Sequence, residues 1–238
     1  MVSPLRKARD AIIQQELTGS SPLASPSASP DSLQLQLTEF ANDRQSLKQF
    51  NAIADKVTHK RDVLMPKWRP IAEAFLSSGE HYENPIFSTL ILWLFDIGEI
   101  ELGIDWCLKA IELNLPTPEF IKRDWPTFCA DVVFDWAEKQ AERGQSIEPY
   151  FSQVFSKVQN DWRLHEKVNA KWYKFAGYWL LRDDKGEPRA TAVGDISTLE
   201  QAKALLEQAH NFHDKVGVGT MIKRIESRIN ALEDNKNL

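Results

Sequence analysis

The sequence predicts an all-α fold, on three observations. Apolar residues recur at three- and four-residue spacing through most of the chain after residue 31, Asp, Ser and Pro residues suited to helix starts precede several of those runs, and alternating strand-like segments are almost absent. A hydrophobic fraction of 42% over 238 residues is enough to build a sizeable core, in one large domain or two small ones.

In chain order, 1–17 is a short basic arm carrying Arg6, Lys7 and Arg9. The stretch 19–30, GSSPLASPSASP, has too little apolar area to bury and reads as a disordered linker, so 1–30 forms a first segment of arm and linker. Asp31 or Ser32 can cap the next helix, expected to run to about Arg61. Its Leu47, Phe50, Ile53, Ala54 and Val57 share one side, with Leu64 in register beyond its end; Arg44, Lys48, Lys56 and Lys60 project from the opposite side. In Leu64-Met-Pro-Lys-Trp-Arg-Pro70, two prolines flank a tryptophan and predict an extended or turn segment, closing a basic-faced helical region at 31–70. The remainder, 71–238, reads as a helical body. A helix starting near Ile71 is followed by helices over 85–95 and 100–113, with a Gly-containing turn at 96–100. The spacing of Trp93, Gly98, Gly103 and Ala110 resembles tetratricopeptide-type hairpins, although only one such unit is clear. Further helices are expected over 118–143, 147–161, 165–182, 198–214 and 219–233, the last two forming an antiparallel hairpin.

The formal charge of -5 argues against a surface that coats nucleic acid or membrane everywhere, and the distribution is more telling. From 1 to 70, ten Lys and Arg stand against seven Asp and Glu; from 71 to 124, three stand against ten. A nucleic-acid partner would therefore meet the N-terminal part. No run of eighteen apolar residues exists, and the basic N-terminus is not followed by the apolar stretch of a secretory signal, so a cytoplasmic protein without membrane contact is expected. Cys107 and Cys129 lack metal or redox spacing and read as buried reduced thiols. No G-x-x-x-x-G-K stretch is present, so ATP hydrolysis belongs to a partner.

Leu64-x-Pro66-x-Trp68-x-Pro70, then Leu92-Trp93-x-x-Asp96-x-Gly98 and Ala110-x-x-x-Leu113-x-x-Pro116, resemble the small, endonuclease-type terminase subunit family of temperate contractile-tailed phages. Gly177-Tyr178-x-Leu180-x-Arg182-Asp183, Ala204-x-Leu206-x-x-Ala209 and Lys223-x-x-Glu226-x-x-Ile229 resemble its C-terminal half, with 19–30 and 185–195 as insertions. The resemblance implies a subunit that recognises double-stranded phage DNA and works with a large ATPase subunit to cut and package it. The 71–238 body would then carry oligomerisation, as a homo-oligomer, and the contact with the large subunit. Members compared with it end in a Lys/Arg-rich tail, whereas this chain ends NALEDNKNL, which is acidic to neutral; if that tail contributes to DNA binding in those members, the role here is expected to fall to the arm and the first long helix, or to be weaker.

The family name also implies phosphodiester cleavage, which normally uses carboxylates to hold divalent ions such as Mg²⁺. Asp131, Asp135 and Glu138, with Glu142, step along one helical face and are the candidate catalytic carboxylates; a solvated polar face opposite Val132, Val133 and Trp136 is the commoner meaning of such a stripe. Asp96, Glu99, Glu101 and Asp105 form a second acidic patch, of the kind that helix starts favour. His210 and His213 are spaced as half a metal site without further ligands at matching spacing, and read as a surface pair. Among eight tryptophans, Trp125 and Trp162 sit beside charged residues at expected helix ends and are the candidate interface anchors. Two other readings compete: a helical adaptor that never touches DNA, which would not need the basic face, and a stand-alone metal nuclease, which needs the carboxylates to converge.

Overall fold

The computed structural model describes residues 33–80 and 82–234. Among them the architecture is all-α, with no strand and one isolated bridge between Arg182 and Pro188. The arm, the linker and their Arg6, Lys7 and Arg9 lie outside the described residues. The chain divides into two compact units, 1–55 and 56–238.

In the first unit, α1 (Leu33–Ser46) is followed by a 3-10 turn at Leu47–Gln49. Phe50 then turns extended, with ψ 125°, and the helix stops. The helix expected to run unbroken to Arg61 is therefore interrupted, and α2 begins afresh at Ile53–His59. Ile53 is 78% exposed, so the continuous apolar side expected through it does not form.

The second unit opens with a correction at the two prolines. The 64–70 segment is helical: α2 runs through a π-turn at Lys60–Leu64 into α3 (Met65–Ser78). Met65 donates its N–H to the Lys60 carbonyl, a five-residue step that widens the helix by one residue. Pro66 then falls in the first turn of α3, where a missing N–H leaves no bond unmade, and only Pro70 lies inside the helix.

The two helices that follow, α4 (Pro85–Ile97) and α5 (Ile100–Glu112), are joined by Gly98, whose φ of 86° is left-handed and suits glycine. The Gly98 N–H bonds back to the last turn of α4, and Glu99 donates to the Leu94 carbonyl at 2.9 Å, so the free carbonyls are satisfied within the turn. Helix α4 is buried on nearly every side, from Ile86 and Phe87 to Leu94, and serves as the centre of this half. Asn84, 2% exposed, caps it by accepting from the Ile86 and Phe87 amides at 3.1 Å each.

Helix α6 (Trp125–Glu142) starts seven residues later than the expected 118, because Asp124 caps it, accepting from Thr127 N at 2.9 Å, and Pro126 fits its first turn. Then come α7 (Tyr150–Asn160), α8 (Glu166–Leu180), α9 (Ile196–Phe212) and α10 (Gly219–Glu233). Each helix from α3 onward packs on its neighbour in the chain. A run of rings marks the seams: Phe75 with Phe87 at 5.5 Å, Phe87 with Trp106 at 5.2 Å, and Phe95 with Phe128 at 5.8 Å. Beyond α6, Trp172 meets Phe134 at 5.6 Å and Phe151 at 4.9 Å, and Tyr173 meets Phe212 at 5.3 Å.

The C-terminal hairpin has its own core of Leu199, Ala202, Leu206, Val218, Met221 and Ile225, to which α8 contributes through Gly177. Cys107 and Cys129 are buried and unbridged; burial, then the neighbouring Cys129, pushes the Cys107 thiol well above its ordinary range.

Candidate functional site

The N-terminal cations fall on both sides of the division between units. Arg44 ends α1 and Lys48 lies in the 3-10 turn of the first unit, both exposed, while Lys56 and Lys60 belong to the second. Lys60 is ion-paired with Asp96 at the end of α4, its ammonium lies 5.9 Å from the Trp93 ring centre, and its side chain is only 15% exposed. Arg61 donates to the Ile97 carbonyl at 3.3 Å. Two cations from the π-turn thus meet the carbonyl end of α4, where the helix dipole favours positive charge.

The acidic patch on the α4–α5 turn is partly consumed by the same arrangement. Asp96 holds Lys60, and Glu99 accepts from Arg69 at 3.4 Å, while Arg69 also holds Glu73 at 2.8 Å. Glu101 and Asp105 remain exposed beside them. The patch fastens α3 and the π-turn to the hairpin that follows.

Along α6, Asp131 is half-buried and ion-paired with Arg123, whereas Asp135 and Glu138 are exposed. Burial raises the Asp131 carboxyl above its ordinary range, against the pull of Arg123 and Lys171 and with a further push from Asp135. Among the described residues no group of three or more His, Cys, Asp or Glu converges as metal ligands, so the residues present do not make a self-contained Mg²⁺ site. His210 is exposed, and His213 lies 3.9 Å from Asp214. Trp125 is 3% exposed and packs edge-on against Phe128 at 5.7 Å; it is a core residue and not a surface anchor, because capping by Asp124 turns its ring inward with the first turn of α6. Trp162 is half-buried.

One cationic feature has no counterpart among the expected sites. A cleft of about 610 Å³ separates the 188–191 segment from α10 and is lined by Arg189, Lys223, Arg224 and Arg228, with no Asp or Glu. The helical spacing of Thr220, Lys223, Arg224, Ser227 and Arg228 could have revealed its α10 wall; Arg189, on a loop more than thirty residues earlier, carries no such signal.

The sequence profile of the family described as Phage small terminase subunit matches residues 37–167, more than half of the chain. This chain belongs to that family. A protein of Haemophilus phage HP1 (strain HP1c1), named "Probable terminase, endonuclease subunit", is 40% identical to it over 191 residues, which cover 80% of this chain and 68% of the relative. The "Terminase, endonuclease subunit" of Escherichia phage P2 is 26% identical over 193 residues, covering 81% and 72%. No solved structure matches the chain. In this small terminase subunit the span matched by the profile contains Arg44, Lys48, Lys56, Lys60 and the α6 carboxylates, and it ends before the cationic cleft on α10. No helix among its described residues is long and apolar enough to cross a membrane.

Proposed function

We propose that this small terminase subunit is the DNA-recognising component of a phage packaging terminase, acting on double-stranded phage DNA with a large ATPase subunit and assembling as a homo-oligomer. The observation that carries the reading is the family match over 37–167, and the names of the HP1 and P2 relatives support it. Phosphate contacts are assigned to Arg6, Lys7 and Arg9 of the arm and to Arg44, Lys48 and Lys56. Lys60 joins them only by releasing Asp96.

Cutting is assigned to the assembled terminase. Asp131 is occupied by Arg123, and Asp135 and Glu138 stand exposed on the same helix, with no group of three or more possible metal ligands among the described residues. The purified subunit with Mg²⁺ is expected to cut duplex DNA weakly or not at all, with cleavage appearing when the large subunit is added. Robust cleavage by this chain alone, abolished by Asp131→Ala or Asp135→Ala, overturns that assignment.

A gel shift against phage end-sequence DNA, with and without the large subunit, tests the recognition reading. A retarded complex formed by the subunit alone supports it. Capture of the large subunit with no DNA binding at any salt concentration, together with a strict monomer by light scattering, replaces it with the adaptor reading.

A further inference from the structure

The C-terminal cleft is built from an amphipathic helix and a loop. Met221 and Ile225 turn the apolar side of α10 into the hairpin core, which leaves Thr220, Lys223, Arg224 and Ser227 on the exposed side. The facing wall comes from Arg189 and Thr191 in the loop after α8. Two of the four cations are held in place by the protein. Arg189 lies 3.2 Å from Asp183, and Arg228 donates its Nε to the Val193 carbonyl at 3.1 Å. Lys223 and Arg224 form no ion pair among the described residues; Arg224 is near enough to the Tyr178 hydroxyl to favour its ionised form, and Glu226 on the same helix is turned to Lys203 at 2.8 Å. Helix α10 also begins with no side-chain cap at Val218, two residues before the lining residue Thr220.

Lys223 and Arg224, which form no ion pair among the described residues, stand beside a helix start with no side-chain cap, an arrangement that favours an anion. The type of anion follows from the other lining groups. Thr191 and Thr220 interleave hydroxyl donors with Arg and Lys, which is the donor set that contacts phosphate oxygens along a duplex, while the Ser227 hydroxyl is given to the Lys223 carbonyl at 2.9 Å. Arg224 and Arg228 stand one helical turn apart, about 6 Å, so the positive charge extends along α10 as a strip and does not converge on a single point.

We propose that this cleft grips the phosphate backbone of duplex DNA, as a second contact separate from the N-terminal cations. The proposal rests on the DNA-recognition reading above. It predicts contacts that do not depend on sequence, because Lys and Arg on phosphate position a duplex without reading bases.

The test is fluorescence anisotropy of a labelled duplex against the full chain over a salt series. Wild type is compared with Lys223→Ala/Arg224→Ala and, on the opposite wall, with Thr191→Glu, an exposed position that keeps every cation and adds a repulsive charge. The double variant is expected to flatten the slope of log affinity against log salt by about 1.8, two phosphate contacts at about 0.9 each, and Thr191→Glu to weaken binding as well. Circular dichroism checks that both fold, and Thr191→Glu decides alone if the double variant does not. If wild type binds DNA and the folded variants match its affinity and slope, the cleft is not a DNA contact while the recognition reading stands. If wild type binds no DNA, both fall. If the variants keep DNA affinity but lose capture of the large subunit, the cleft receives an acidic protein surface and the DNA proposal is overturned.

Discussion

Gly177 of α8 lies so close to Leu206 of α9 that a Cβ placed on the glycine would stand 2.7 Å from Leu206 Cδ2 and 3.1 Å from the Ala202 carbonyl oxygen. Elsewhere in a helix, Gly→Ala gains about 1 kcal/mol of propensity. Here overpacking, typically about 1–3 kcal/mol, opposes that gain, and the backbone oxygen cannot move aside as a side chain can. Gly177→Ala is expected to lower the urea midpoint without changing the slope of the transition. Leu206→Ala in the Gly177→Ala background is expected to cost less than Leu206→Ala alone, because the two changes share one contact. Strict additivity of the two would show that the approach of α8 to α9 is not what the glycine serves.

Asn84 makes a sharper test of the first half of the second unit. It is buried, and its one side-chain oxygen serves two amides at the start of the most buried helix. Removal leaves those donors without a partner and without water. Asn84→Ala is expected to destabilise by about 1–2 kcal/mol, at the upper end for a cap. Asn84→Ser, which restores an acceptor, is expected to recover part of the loss in the same denaturation series.

The existence and order of the helices after residue 84 could be read from the sequence, because amphipathic periodicity is a local property, although the Asp124 cap that sets the start of α6 was not read. What escaped were features set at a distance. The π-turn at Lys60–Leu64 carries Lys60 and Arg61, which meet Asp96 and the Ile97 carbonyl 36 residues away, and neither contact is visible in local spacing. In the sequence two prolines read as a break, whereas in the structure the extra residue of the π-turn comes just before Pro66, in the first turn of α3. The same pairing withdraws Lys60 from the basic face, which helical spacing alone placed beside Lys56. Trp125 was misplaced because its charged neighbours Arg123 and Asp124 are outside the helix, whereas its own position in the first turn points inward.

The shifted carboxyls predict opposite responses to pH. Burial raises Asp131, so the folded state binds its proton more tightly than the unfolded chain does. That contribution is complete below the ordinary Asp pKa of about 4 and is lost as pH rises through the folded value. Asp131→Asn is therefore expected to gain stability relative to wild type at neutral pH and to lose that advantage in acid. Asp195 is lowered, chiefly because its carboxylate accepts the Thr198 hydroxyl at 2.6 Å and the Thr198 amide at 2.8 Å. Its contribution is present above the ordinary value and lost as pH falls through the lowered one, so Asp195→Ala is expected to hurt at neutral pH and become silent in acid. Urea titrations at several pH values check both, and parallel pH profiles for the two variants would contradict the opposite environments.

Salt dependence separates the N-terminal cations from one another. Lys48 is exposed and Lys56 half-exposed, whereas Lys60 is held by Asp96 with its ammonium close to Trp93. If Lys48 and Lys56 meet phosphates, removing both releases about two fewer counterions, and the slope of log affinity against log salt should flatten by about 1.8. The loss should be the same for packaging-site and unrelated duplexes, since contacts to phosphate carry no base information. Lys60→Ala should behave differently. Its partner Asp96 is 47% exposed, so the pair is worth about 0.5–1 kcal/mol of stability at most, and the variant should unfold at slightly lower urea while keeping the wild-type salt slope. A slope that flattens by a further 0.9 or so on Lys60→Ala would mean that DNA draws Lys60 away from Asp96. An unchanged slope for Lys48→Ala/Lys56→Ala, with the fold intact by circular dichroism, would remove both lysines from the DNA contact and leave Arg6, Lys7, Arg9 and Arg44 as its N-terminal candidates.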